Sequence, residues 1–84
     1  MKCLVTGAGG FLGGELVARL LAHGYTDVKC FVRPGGDVTR LAQLPAAHPG
    51  ARVEFARGNV TVRADIESAV RDVDIVFHLA AAMK

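Results

Sequence analysis

The chain has 84 residues, 51% of them hydrophobic and 21% charged, which allows one domain and excludes a disordered tail. The formal net charge is +2, and the ten Lys and Arg are scattered rather than clustered, so no basic face for nucleic acid is expected. No apolar run reaches the roughly 18–20 residues of a membrane span, and Gly7 to Gly14 breaks the apolar N-terminus before a cleavable leader takes shape.

Lys2 to Thr6 is a short apolar run ending in glycines and reads as a buried strand. Phe11 to His23 predicts a helix, with Leu12, Leu16, Leu20 and Leu21 at helical spacing, Val17 adding to that face, and Gly24 just past its end. Val28 to Val32 predicts a second strand, in which Lys29-Cys30-Phe31-Val32 echoes Lys2-Cys3-Leu4-Val5. Pro34 to Gly36 stops that strand. Asp37 is placed to cap a short helix from Val38 to Leu44, and Pro45 to Gly50 reads as a loop. Val53 to Arg57 predicts a third strand. Thr61 is placed to cap a helix from Val62 to about Arg71, with Ile66, Ala69, Val70 and Val73 facing inward. Ile75 to Leu79 predicts a fourth strand, apolar enough to be covered on both faces.

Strands alternating with helices point to an α/β fold: a parallel sheet with right-handed crossovers and helices on both faces. Cys3 and Cys30 fall inside strand patterns, on strands expected to be adjacent. Two cysteines make no disulfide framework, so buried, reduced thiols in a cytoplasmic protein are expected.

The run Val5-Thr6-Gly7-Ala8-Gly9-Gly10-Phe11-Leu12-Gly13 closes the first strand and opens the first helix. A helix N-terminus offers unpaired N–H groups and a partial positive charge, which suits a dinucleotide pyrophosphate. Gly7 permits the sharp turn, Gly10 lets the phosphates approach the backbone, and Gly13 allows tight packing of the helix on the sheet. The alternative is a glycine-rich turn that binds nothing. A P-loop is excluded, because no Gly-Lys-Ser/Thr follows the glycines.

Thr6 to Gly13 resembles the signature of the extended short-chain dehydrogenase/reductases, the NAD-dependent epimerase/dehydratase group. Arg57-Gly58-Asn59-Val60 is similar to that family's Gly-Asp-Leu or Gly-Asp-Val after the third strand. Val73 to Ala81 resembles its D-x-V-F-H-L-A-A fourth strand. Gly-Gly-Phe-Leu-Gly, with Val32-Arg33-Pro34, looks most like the 3β-hydroxysteroid dehydrogenase and dihydroflavonol reductase branch.

The resemblance implies an NAD(P)-binding Rossmann-type sheet of strand order 3-2-1-4, with residues 1–84 as the N-terminal portion of the dinucleotide-binding domain. It implies that Gly7, Gly10, Phe11 and Leu12 line the pyrophosphate and that Asn59 and Val60 edge the adenine. Leu79, Ala80 and Ala81 would pass beside the ribose toward the nicotinamide. Asn59 departs from the family's Asp, but its side-chain carbonyl can accept from the adenine amino group in the same way while its NH₂ reaches a ring nitrogen.

At the end of the second strand a carboxylate accepts from a ribose 2′-OH, whereas an arginine pairs with a 2′-phosphate. Val32-Arg33-Pro34 has the arginine and no acid, and Asp37, four residues on, reads as too far along the loop. NADP is therefore favoured, with NAD as the alternative.

His78 reads as a structural residue of the fourth strand, and Thr6 as a strand-end hydroxyl that bonds the turn backbone. His23 and His48 have no spaced partners for a metal site. Tyr25 and Lys29 match Tyr-x-x-x-Lys literally, but they straddle a loop and a strand instead of one helix face. The family's Ser or Thr with a helical Tyr-x-x-x-Lys pair has no counterpart, so no catalytic residue is assigned.

Two functional classes remain. One is the cofactor-binding part of an NAD(P)-dependent oxidoreductase or epimerase. The other is a non-catalytic nucleotide-binding or dimerising module from a truncated gene. In either, an open fourth-strand edge is expected to pair with a second copy or with a C-terminal part.

Overall fold

Four apolar runs form strands and pair in parallel in the order β3-β2-β1-β4. The computed structural model describes residues 1–79. In chain order the elements are β1 (Cys3–Thr6), α1 (Phe11–Ala22), β2 (Asp27–Val32), α2 (Thr39–Gln43), a 3-10 turn (Leu44–Ala47), β3 (Arg52–Arg57), α3 (Arg63–Ala69) and β4 (Ile75–His78). Strand order and helix placement match the expected Rossmann-type arrangement.

Register explains the two-sided core. Val5 lies opposite Cys30, and Cys3 opposite Val28, so these side chains share the face covered by α1 and α2. There Val5, Val28, Cys30 and Val32 pack with Ala8, Val17, Leu20 and Leu21, and with Leu41 of α2. The alternate residues Leu4 and Phe31 face the other way and pack with Ala69 of α3, flanked by Ile66, Val70 and Val73. Both cysteines are free and buried. Burial pushes the Cys30 thiol up to about 12 and raises that of Cys3.

α1 ends as the glycine predicts. The Gly24 N–H donates to the Leu21 carbonyl at 3.2 Å and that of Tyr25 to Leu20 at 3.0 Å, a Schellman closure with Gly24 at φ 95°. Leu12 departs from expectation. It sits in the first turn of α1, clear of the sheet, and is 71% exposed.

The second helix is shorter than expected. Pro45 has no N–H to continue the α-helical pattern, so α2 stops at Gln43 and the chain tightens into the 3-10 turn where a loop was expected. Asp37 does act at the start of α2, its Oδ1 accepting the N–H of Thr39 at 2.9 Å and its hydroxyl at 2.7 Å.

α3 is shorter too, and Thr61 does not cap it. Asn59 Oδ1 accepts both the Thr61 N–H (2.9 Å) and its hydroxyl (2.7 Å), which turns the chain before the helix. Asp65, in the first turn, accepts the Asn59 N–H at 2.9 Å. After Ala69 the chain leaves the helix through a Val73-to-Val70 turn.

β4 is not covered on both faces. Val76 is 47% exposed, because α3 is the one helix on that face among the described residues and it packs over β1 and β2. Lys2, Lys29, Glu54 and Asp72 form a charged network on the α3 side of the sheet. Lys2 pairs with Glu54 and with Asp72 (2.9 Å), and Lys29 pairs with Asp72 (2.8 Å).

Candidate functional site

The C-terminal ends of β1, β2 and β3 surround a cavity of about 440 Å³. Ligands of open parallel sheets bind at this end, where the crossovers diverge. Gly7, Gly9 and Gly10 form one wall. Phe31, Val32 and Arg33, with Gly36 and Asp37 of the following loop, form the second. Gly58, Asn59 and Val60 form the third.

The glycine turn has the geometry its residues require. Gly7 leaves β1 at φ 69°, a region that side-chain-bearing residues rarely adopt. Its carbonyl accepts the Gly10 N–H at 3.1 Å. Gly10 is the N-cap of α1, no side chain caps that end, and the first turn carries no acidic residue. The first N–H groups of α1 are therefore left for solvent or an anion. A Cβ on Gly13 would lie 2.0 Å from the Gly7 carbonyl oxygen and 2.6 Å from Ala8 Cα. The close approach is thus between α1 and the turn itself. A Cβ on Gly10 would stand 3.5 Å from the Gly7 carbonyl oxygen, an ordinary contact, so the fold itself makes no demand for glycine there.

Of the residues expected at a dinucleotide, Gly7, Gly10, Arg33, Asn59 and Val60 are brought together around the cavity. Gly13 lies behind the turn. Phe11 and Leu12, 75% and 71% exposed, project outside. The Phe11 ring lies under the Arg40 guanidinium, 5.9 Å from its centroid, and Arg40 is ion-paired with Glu15. Leu79 sits at the end of β4, where its N–H donates to Thr6 Oγ1 at 3.0 Å. Ala80 and Ala81 lie outside the described residues.

Asp37 requires a correction. It lines the cavity together with Arg33, because Gly36 N–H donates to the Arg33 carbonyl at 2.9 Å and the chain folds back. The Thr39 hydroxyl and N–H hold its carboxyl below the usual carboxylate range. Arg33 is exposed and forms no ion pair among the described residues. Gly9, Phe31, Val32, Gly36 and Gly58 complete the lining and were not expected from sequence, although Gly9, Val32 and Gly58 each adjoin a residue that was.

Asn59 also behaves differently from the sequence reading. Its Oδ1 already accepts two hydrogen bonds from Thr61, which leaves the side-chain NH₂ as its free polar group. The Thr6 hydroxyl reaches across to β4, 2.8 Å from His78 Nδ1. Tyr25 packs on the α1 side of the sheet, whereas Lys29 Nζ donates to the Ala69 carbonyl (3.0 Å) on the α3 side, so the two cannot act as one pair. Among the described residues no group of three or more His, Cys, Asp or Glu is placed to hold a metal ion. Nor is any described helix long and apolar enough to cross a membrane.

A sequence model of the NAD dependent epimerase/dehydratase family matches residues 3–84. The chain belongs to that family. Its relatives include an uncharacterized UDP-glucose epimerase, YtcB, of Bacillus subtilis (strain 168), 38% identical over 84 residues that cover 96% of this chain and 26% of that protein. A dihydroflavonol 4-reductase of Gerbera hybrida is 39% identical over 82 residues, covering 94% of this chain and 22% of that protein. The dTDP-glucose 4,6-dehydratase of Bacillus anthracis str. Ames, solved in complex with NAD, superposes with a TM-score of 0.76 at 25% identity, over 98% of this chain and 27% of that one. The chain thus spans about a quarter of the length of these family members. Epimerase and reductase relatives are equally similar, so the reductase-like look of Val32-Arg33-Pro34 singles out neither branch.

Proposed function

We propose that residues 1–84 form the N-terminal portion of a Rossmann dinucleotide-binding domain and hold the adenosine and pyrophosphate of NAD(P) for an oxidoreductase or epimerase. The observation that carries this reading is the uncapped N-terminus of α1, reached through the Gly7 turn and opening on a cavity whose opposite wall bears Arg33. The pyrophosphate sits against the first N–H groups of α1, where the helix dipole and unpaired donors favour negative charge. The adenine lies toward Asn59 and Val60, with the Asn59 NH₂ as donor to a ring nitrogen. Phe11 and Leu12 contribute their backbone N–H groups rather than their exposed side chains.

The preferred cofactor is NADP. Arg33 offers an unpaired guanidinium to a 2′-phosphate, while Asp37, whose Oδ1 accepts from Thr39, keeps Oδ2 for a ribose hydroxyl and makes NAD the alternative. NADPH fluorescence titration tests the binding. Arg33→Asp is expected to move the preference toward NADH, and an unmoved preference would remove the assignment to NADP. When bound, the nicotinamide supplies hydride chemistry. No group lining the cavity is assigned a catalytic role, so the 84 residues alone are expected to bind without turnover.

The outer side of β4 has no strand partner among the described residues. We assign that edge to pairing with a further strand, from a C-terminal part of the same protein or from a second copy. Two buried, reduced thiols favour the cytoplasm as its compartment.

A further inference from the structure

We propose that Arg57 is a positioning residue for cofactor selection, because its guanidinium gathers the carbonyls that shape the Arg33–Gly36 turn. This inference rests on the dinucleotide reading above and concerns how that site discriminates at the ribose. Arg57 is the last residue of β3, and the parallel register sets it opposite Val32, directly before the turn. Its Nη1 donates to the carbonyls of Arg33 at 3.1 Å, Pro34 at 3.0 Å and Gly36 at 3.1 Å. Nη1 carries two hydrogens, so three acceptors share them around one cation.

The turn is closed by its own backbone bond, Gly36 N–H to the Arg33 carbonyl at 2.9 Å. It is also tight, since a Cβ on Gly36 would stand 3.2 Å from that same oxygen. Pro34 removes one N–H from the segment, leaving carbonyls in excess of donors. Three carbonyl dipoles gathered in one small turn place partial negative charge beside the wall that Arg33 and Asp37 present to the cavity. Arg57 offsets that charge and fixes the turn at once. A permanently charged guanidinium does this through one terminal nitrogen, where a neutral side chain cannot offset the charge.

Without Arg57 the carbonyls need water, the turn loosens, and neither Arg33 nor Asp37 is held at a set distance from the ribose. Both effects act through the Arg33–Gly36 wall, whereas the pyrophosphate is held from a different wall of the cavity by the α1 N-terminus. A residue that merely supported the fold would weaken every dinucleotide alike.

The test is isothermal titration of the full chain with NADP⁺ and with NAD⁺, which differ only in the 2′-phosphate. Arg57→Gln keeps a donor and removes the charge, whereas Arg57→Lys keeps the charge on one nitrogen and loses the reach of the guanidinium. Arg57→Gln is expected to narrow the NADP⁺-to-NAD⁺ affinity ratio by about three- to ten-fold, in line with one to two hydrogen bonds. Arg57→Lys is expected to fall between that variant and the wild type. An unchanged ratio in whichever of the two variants folds overturns the inference, even if both dinucleotides bind more weakly. A wild type that binds both without preference overturns it as well and leaves the dinucleotide reading standing. A wild type that binds neither removes that reading and this inference with it.

Discussion

At the residue scale, the three glycines of the turn have three separate physical jobs. Gly7 supplies a backbone conformation and Gly13 supplies room for the turn, whereas Gly10 answers no demand of the fold and has the role proposed above, leaving space for the phosphates. These jobs come apart on substitution. Gly13→Ala would place a methyl 2.0 Å from a backbone oxygen that cannot move away without unseating α1. A loss of about 3 kcal/mol or more is expected, at the upper end of overpacking costs. Gly10→Ala meets no such obstacle, and its cost is about 1 kcal/mol or less, that of a poorer N-cap. Urea denaturation separates the two. The same Gly10→Ala chain is expected to bind NADPH more weakly, because the new methyl stands where the phosphates approach. Equal destabilisation by both substitutions would refute this division of roles. The positions of these glycines were legible in the sequence, from their spacing between a strand and a helix. The side chains of Phe11 and Leu12 were not, since a first helical turn that overhangs the sheet exposes residues that the periodic pattern assigns to the core.

At the element scale, the sheet is joined to α3 both by apolar contacts and by charge. Asp72, just after α3, accepts from Lys29 at 2.8 Å and Lys2 at 2.9 Å, and these two lysines hold its carboxyl below the usual carboxylate range. A carboxyl depressed in the folded state contributes stability that is full above its unfolded value of 3.8 and is lost progressively as the pH falls from there toward the depressed folded value. Thermal unfolding followed between pH 7 and pH 3 is therefore expected to show a steeper fall for the wild type than for Asp72→Asn. Parallel curves for the two proteins would show that the network does not couple to folding. Salt should reduce the difference, because Asp72 is more than half exposed. The identity of every strand and α-helix was readable, since the apolar runs and glycine and proline stops are local signals, whereas the 3-10 turn at Leu44–Ala47 was not. Element ends were less readable. α2 stops early because Pro45 lacks an N–H, and α3 starts after Val62 with no side-chain cap, the Asn59 side chain turning the chain at Thr61 instead.

At the scale of the whole molecule, the sheet has a closed side and an open one. The α1 face is filled by two helices, whereas β4 ends the sheet with Val76 and Leu79 at 47% and 43% exposure. A parallel strand is stable when both faces and both edges are satisfied, and an apolar strand left at an edge invites pairing. The 84-residue chain expressed alone is therefore expected to self-associate, and Val76→Lys to shift it toward the monomer. Size-exclusion chromatography with light scattering measures both, and a monodisperse wild-type monomer would count against a pairing role for β4.

The sequence by itself determined the strand and helix alternation, the glycine turn between β1 and α1 and the family, because each is written in short runs of residues whose spacing has local physical meaning. The tertiary structure alone decided which walls meet. Asp37 looked too remote from Arg33 along the chain, yet the Arg33–Gly36 turn folds it into the same cavity. Arg57 lies 24 residues from Arg33 and reaches its carbonyl only because β3 pairs with β2 in register. Contacts of that kind depend on strand pairing across the sheet, which no local pattern records.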